Sequence, residues 1–145
     1  MSYDIYLYVT TDRDPDPDYD TREAIGYVVD WLRANGDTAT ADKIANYDHL
    51  RPVVDCVYNS SPTYNIGPMF RDAFQDDRGI RIVSGMSARD SIPLLTAACA
   101  RFNARWAEME AMNPSNGWGS AGGALSELSN MLHAATCHPD GVWSA

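Results

Sequence analysis

The sequence predicts an α+β fold: a single helix-rich domain, spanning residues 1–145, with a small, mainly antiparallel sheet. Three observations predict it. Tyr3, Ile5, Leu7 and Val9 recur at the two-residue period of a strand. Two later stretches, Ile25/Val28/Val29/Leu32 and Leu95/Cys99/Phe102/Trp106/Met109, instead recur at helical spacing. No internal repeat or second composition regime divides the 145 residues, a length that one domain with a continuous core commonly has.

The elements follow in order. Ser2–Thr10 is rich in β-branched and aromatic residues and reads as a strand, with Asp4, Tyr6 and Tyr8 on its more polar face. Thr11–Asp20 is an Asp/Pro loop. A helix over Thr21–Ala34 is capped by Asp20 or Thr21 and ended by Asn35-Gly36. Asp37 can cap a shorter helix over Ala39–Tyr47 with Ile44 and Tyr47 inward, closed by Arg51-Pro52 because proline disfavours helix in the preceding residue. Val53–Tyr58 is a second strand, and Tyr64–Ile66 is extended. Gly67-Pro68 opens a helix through Phe74, since the proline's missing N–H has no helical partner to lose there. Gly79–Val83 reads as a third strand. A long helix spans Ser91–Met112, with Asp90 as cap and Asn113-Pro114 as stop. The last helix, Ala124–Cys137, carries Leu125, Leu128, Met131, Leu132 and Ala135 inward; Pro139–Gly141 turns the chain into an edge strand at Val142-Trp143.

Composition excludes several classes. The chain is 45% hydrophobic and 10% aromatic, which argues against disorder. No run approaches the ~18 apolar residues of a membrane span, and Met1–Asp4 shows no signal-peptide pattern. Residues 1–55 hold twelve Asp/Glu against five Lys/Arg, a net of −7, and residues 56–145 a net of −2. Such a surface repels phosphate backbones, so direct nucleic-acid binding is not expected. Cys56, Cys99 and Cys137 are odd in number and unpatterned, which points to free thiols in a reducing, cytoplasmic setting.

Metal and catalytic chemistry find little footing. Asp12, Asp14, Asp16, Asp18, Asp20 and Glu23 occupy positions 1, 3, 5, 7, 9 and 12 of a calcium loop, but Pro17 stands where such a loop needs glycine and a strand precedes it; a solvated acidic loop is the better reading. His133 and Cys137 share a helix face with His138 adjacent, yet no fourth ligand follows at a zinc spacing, and favourable placement of His⁺ at a helix C-terminus accounts for both histidines equally well. There is no Gly-x-Ser-x-Gly, phosphate-binding glycine loop or His-Glu-x-x-His. No catalytic residue is assigned and no cofactor is implied.

Two polar-aromatic motifs remain: Thr63–Arg71 (TYNIGPMFR) and Asn113–Gly119 (NPSNGWG). Each gathers amides, an aromatic and glycine at a helix boundary. The start of the Pro68 helix offers N–H groups and a positive dipole end to an anion or carbonyl, with Arg71 one turn in. Under the competing reading, asparagines cap backbone, glycines take positive φ and Trp118 plugs the core.

At these motifs the chain resembles a widespread family of small uncharacterised proteins of bacteriophages and bacteria. Members carry a Thr-[His/Tyr]-Asn-[Leu/Ile]-Gly-x-Met segment, an Ile-Pro-Leu-Leu helix, then Asn-Pro-x-Asn-Gly-Trp-Gly; here these are Thr63–Met69, Ile92–Leu95 and Asn113–Gly119, in the same order. The opening Ser2–Ile5 and the closing His138–Trp143 are similar to phage members too. The chain departs from the pattern where Tyr64 replaces the commoner His and where Ala121-Gly122 replaces an aromatic. The Asp-rich loop and residues 37–56 lie outside the resemblance. It implies a phage-type accessory protein of the host cytoplasm, and the Tyr-for-His change argues against an obligatory histidine base.

Together these readings give an expected function: non-enzymatic binding of a small polar ligand, a nucleotide or metabolite, between the two motifs. Tyr64 and Trp118 would stack on it, Asn65, Asn113 and Asn116 would hydrogen-bond, and Arg71 would meet its negative charge. The alternative partner is a basic host protein docking on the acidic N-terminal half. An enzyme of unidentified class is the third reading.

Overall fold

A computed structural model describes residues 2–11, 19–46 and 53–145; for residues 11, 19–25, 46 and 53–54 the backbone alone is described. Three strands, β1 (Ile5–Thr11), β2 (Val53–Ser60) and β3 (Val142–Ser144), form an antiparallel sheet in the order β2-β1-β3. Six α-helices accompany it among the described residues: α1 (Tyr19–Ala34), α2 (Thr38–Asn46), α3 (Gly67–Phe74), α4 (Ala88–Ala104), α5 (Trp106–Ala111) and α6 (Ala121–Cys137). The α+β expectation is met. Among the described residues no helix is long and apolar enough to cross a membrane.

Alternation along β1 feeds two cores. Tyr3, Ile5 and Leu7 join the larger one with Phe70, Leu95, Phe102, Leu128, Met131 and Trp143 from α3, α4, α6 and β3. Tyr8 joins the smaller with Val28, Val29, Ala41 and Ile44, while Tyr6 and Leu32 pack against it. The face expected to be the polar one is thus covered by α1 and α2, with Tyr6, Tyr8 and Tyr27 stacked ring on ring at 5.7 and 5.9 Å. Leu7 pairs with Tyr58 but Tyr8 with Cys56, a bulge that skips Val57. Its effect is to seat Tyr58 and Trp143 on either side of Leu7, their rings edge to face at 5.7 Å.

Several boundaries differ from expectation, each for a local reason. α1 begins at Tyr19, so Asp20 and Thr21 lie inside its first turn instead of capping it. Asp37 does cap α2, accepting from the Thr40 N–H at 3.0 Å. Tyr47 and Arg51-Pro52 fall outside the described residues. α4 starts at Ala88, ahead of Ser91, because Ser87 accepts from the Asp90 N–H at 3.1 Å; this leaves Pro93 inside the helix. The expected single helix to Met112 breaks at Arg105 (φ −116°, ψ 33°), whose Nη1 meets both Asp72 oxygens at 2.7 Å. That break interrupts the apolar seam: Trp106 turns out to 38% exposure while Met109 is fully buried. α6 begins at Ala121, three residues early, because Ser120 accepts from the Gly123 N–H at 3.1 Å.

Gly79–Val83 is not a strand but a 3-10 helix. Ile80 and Val83 are its fully buried side chains, three residues apart as that helix requires, whereas strand alternation would bury Ile80 and Ile82 together. Tyr64–Ile66, expected to be extended, is likewise a single 3-10 turn, capped by Thr63.

Candidate functional site

The first motif is delivered to β1 by a continuation of the β1–β2 pairing. Beyond Ser60 the strands stay close: the Tyr3 N–H donates to the Pro62 carbonyl at 2.8 Å and Ser2 bridges to Thr63. Tyr3 is thereby laid against the turn, its ring edge-on to Tyr64 at 4.3 Å between centroids. Thr63 shapes that turn, its hydroxyl accepting from the Asn65 N–H and the Asn65 side-chain amide at 3.3 and 3.2 Å.

Two arginines converge on this tyrosine pair. Arg81, from the 3-10 helix, donates to the Tyr64 hydroxyl at 2.6 Å; its guanidinium carbon lies 5.3 and 5.5 Å from the centroids of Tyr3 and Tyr64. Arg71 reaches back along α3 toward the helix start, as long helical side chains do. Its Nη1 comes within 3.3 Å, and the Tyr3 hydroxyl within 2.7 Å, of the point a β-carbon would occupy on Gly67. Glycine is what lets both polar groups gather there. No side chain caps the α3 N-terminus. Arg33, Arg78, Arg89 and Arg105 pair with carboxylates, whereas Arg71 and Arg81, both exposed, have no carboxylate partner among the described residues.

The second motif touches the first. At Gly119 (φ +101°) a β-carbon would lie 2.5 Å from Ile66 Cγ2 and 2.9 Å from Thr63 Cγ2, so only glycine allows this approach. Within the loop, Asn113 Oδ1 accepts from the Ala121 N–H at 2.7 Å at the start of α6, and Asn116 Oδ1 accepts from the Trp118 N–H at 3.0 Å. These oxygens are engaged in shaping the loop. Trp118 does not plug the core; it stands 70% exposed beside the contact. Tyr64, by contrast, is already held on Tyr3 and Arg81.

Of the expected site residues, Tyr64 and Arg71 therefore join one cluster. Asn65, Asn113 and Asn116 serve turns and caps, and Trp118 stands exposed outside the cluster. Sequence reasoning missed Tyr3 and Arg81. The spacing of Tyr3 marks it only as strand core, and the alternation around Arg81 has the strand period; the signal for Arg81 is the Ile80/Val83 spacing, which buries those two and leaves Arg81 outward.

Elsewhere, Asp12, Asp14 and Asp16 lie outside the described residues, and the side chain of Glu23 is not described. His133 and Cys137 do meet, Nε2 to Sγ at 3.6 Å, and with His138, Asn130, Val57 and Tyr58 line a cleft of about 340 Å³. No three His, Cys, Asp or Glu side chains come together as a metal set among the described residues. No disulfide joins Cys56, Cys99 and Cys137, and burial pushes the Cys99 thiol above its usual range. No protein-family model, curated protein or solved structure matches the chain.

Proposed function

We propose that this is a non-enzymatic accessory protein of the phage type that binds a small anionic ligand, a nucleotide or an acidic metabolite, at the Tyr3–Tyr64–Arg71–Arg81 cluster. One observation carries the reading. In a chain of net charge −9, two exposed arginines with no carboxylate partner among the described residues approach Tyr3, Arg81 over its ring and Arg71 beside its hydroxyl at Gly67. Arginine beside aromatic rings is an arrangement suited to phosphate or carboxylate, which guanidinium meets with paired, charge-assisted hydrogen bonds. Tyr64 serves as a holder of Arg81 in this reading, and Trp118 is the surface on which a base or other flat group can stack.

The test is a thermal-shift panel of AMP, ATP, GTP, citrate and inorganic phosphate. A ligand at a hundredfold excess over its Kd stabilises the folded state by about 2.7 kcal/mol. The expected result is a raised midpoint for at least one nucleotide or acid, lost in Arg71→Gln and Arg81→Gln and reduced in Trp118→Ala. A panel without response, or a response indifferent to both arginine substitutions, refutes the reading.

A further inference from the structure

Helix α6 ends in a pair of side chains of metal-binding type that the anion-binding reading does not use. His133 and Cys137 stand one turn apart on the same face, with Nε2 and Sγ separated by 3.6 Å. Both are exposed, and both line the cleft between α6 and β2. Their separation is the one a tetrahedral zinc ion imposes. Bonds of about 2.3 Å to sulfur and about 2.0–2.1 Å to nitrogen, at a tetrahedral angle, set the two donor atoms about 3.6 Å apart. The pair therefore has the length of one edge of a zinc tetrahedron.

Two donors leave that tetrahedron half filled. Among the described residues no third His, Cys, Asp or Glu joins them. The face around the pair points to the source of the other two. Ser126, Ser129, Asn130, His133, Thr136 and Cys137 are exposed and recur at intervals of three and four, so they form one stripe along α6. None of them is Asp, Glu, Lys or Arg. The one charged residue within α6, Glu127, is half-buried and accepts from the Tyr58 and Ser60 hydroxyls at 2.6 and 2.7 Å. In a chain of net charge −9, this stripe lets two copies meet without setting carboxylates of α6 against each other. Its side chains are short and polar, so apolar burial alone does not hold two chains together there.

We infer that two copies of this chain, related by a two-fold axis through the metal, hold one zinc ion with His133 and Cys137 from each. The donor set is then Cys₂His₂, the closed tetrahedral arrangement of structural zinc, and neither chain completes it alone. Each thiol gives its proton to solvent on binding, and the two thiolates balance the double charge of the ion.

The test uses the untagged full chain with a non-thiol reductant, titrated with zinc chloride and followed by size-exclusion chromatography with light scattering. The expected result is a dimer that forms with zinc, saturates at one ion per two chains and returns to monomer with EDTA. Cobalt(II) in place of zinc gives the visible bands of a tetrahedral thiolate site. Both signals are lost in Cys137→Ser and in His133→Ala, exposed positions whose change leaves the core packing intact, and both persist in Cys56→Ser and His138→Ala. Absence of zinc binding overturns the inference. So does one ion per chain on a monomer, a dimer that EDTA leaves intact, a dimer that survives Cys137→Ser, or loss of binding in His138→Ala.

Discussion

Arg81 donates to the hydroxyl of Tyr64 at 2.6 Å while its guanidinium also stands near the rings of Tyr3 and Tyr64. A residue from the 3-10 helix is thereby held over a turn seventeen positions earlier. Tyr64→Phe removes the hydroxyl and keeps the ring against Tyr3. Since the bond lies in an exposed setting, unfolding free energy should change by about 1 kcal/mol or less. Ligand affinity should fall several-fold as Arg81 loses its tether. Denaturant unfolding paired with ligand titration separates the two effects; a large stability loss with unaltered affinity would show that Tyr64 serves the fold alone.

The contact between the motifs rests on Gly119. Adding one methyl in Gly119→Ala forces it onto Ile66 Cγ2 and Thr63 Cγ2 at a backbone angle that L side chains avoid. A loss of about 2 kcal/mol or more is expected. Gly117 shares a positive φ of +71° but has nothing within 4 Å, so Gly117→Ala should cost only about 1 kcal/mol. Equal losses in the two variants, read by urea unfolding, would mean that backbone angle and not the close approach decides.

Ser91, the fully buried polar residue near the start of α4, donates to the Ala88 carbonyl at 2.7 Å and accepts the Trp143 indole N–H at 2.8 Å. Ser91→Ala strands that buried donor and should destabilise by about 2 kcal/mol. The thermal midpoint should fall by roughly 6 °C. A midpoint matching that of the parent chain would deny this bond its role in fastening β3 to α4.

Alkaline pH should weaken the fold through Tyr58. Its phenol is pushed above the usual tyrosine range, first by burial and then by donating to Glu127 at 2.6 Å and by that carboxylate's charge. Below pH ~10 folded and unfolded chains both keep the proton. Above it the unfolded chain releases the proton first, so stability present at lower pH is lost as pH rises toward the folded-state value. Urea midpoints should decline between about pH 9 and 11, less steeply in Tyr58→Phe. Identical slopes for the two proteins would exclude Tyr58 as the cause.

Much of the fold was readable because its signals are local. The Ile44 side of α2, the Asp37 cap, the Gly67-Pro68 start of α3 and the Pro139–Gly141 turn into β3 all depend on neighbouring residues. Gly79–Val83 misled because an alternating Ile-Arg-Ile pattern has the strand period; tertiary packing of Ile80 and Val83 against the core imposed period three instead. The break at Arg105 was unreadable for a similar reason, its partner Asp72 being thirty-three residues away. At the candidate site the sequence supplied Tyr64 and Arg71, which share one motif. Tyr3 and Arg81 arrive from other elements, through the Tyr3–Pro62 pairing and the 3-10 turn, and no spacing rule connects them to it.

The central claim is that Arg71 and Arg81 act together as an anion receptor. Its most direct measurement is calorimetric titration of the best ligand from the nucleotide and acid panel into the parent chain, both single glutamine variants and the double variant, at low and high salt. Each single substitution should weaken binding about tenfold, which is 1.4 kcal/mol, the double variant should show no binding, and added salt should lower the parent affinity. Binding that survives intact in the Arg71→Gln/Arg81→Gln double variant would contradict the account.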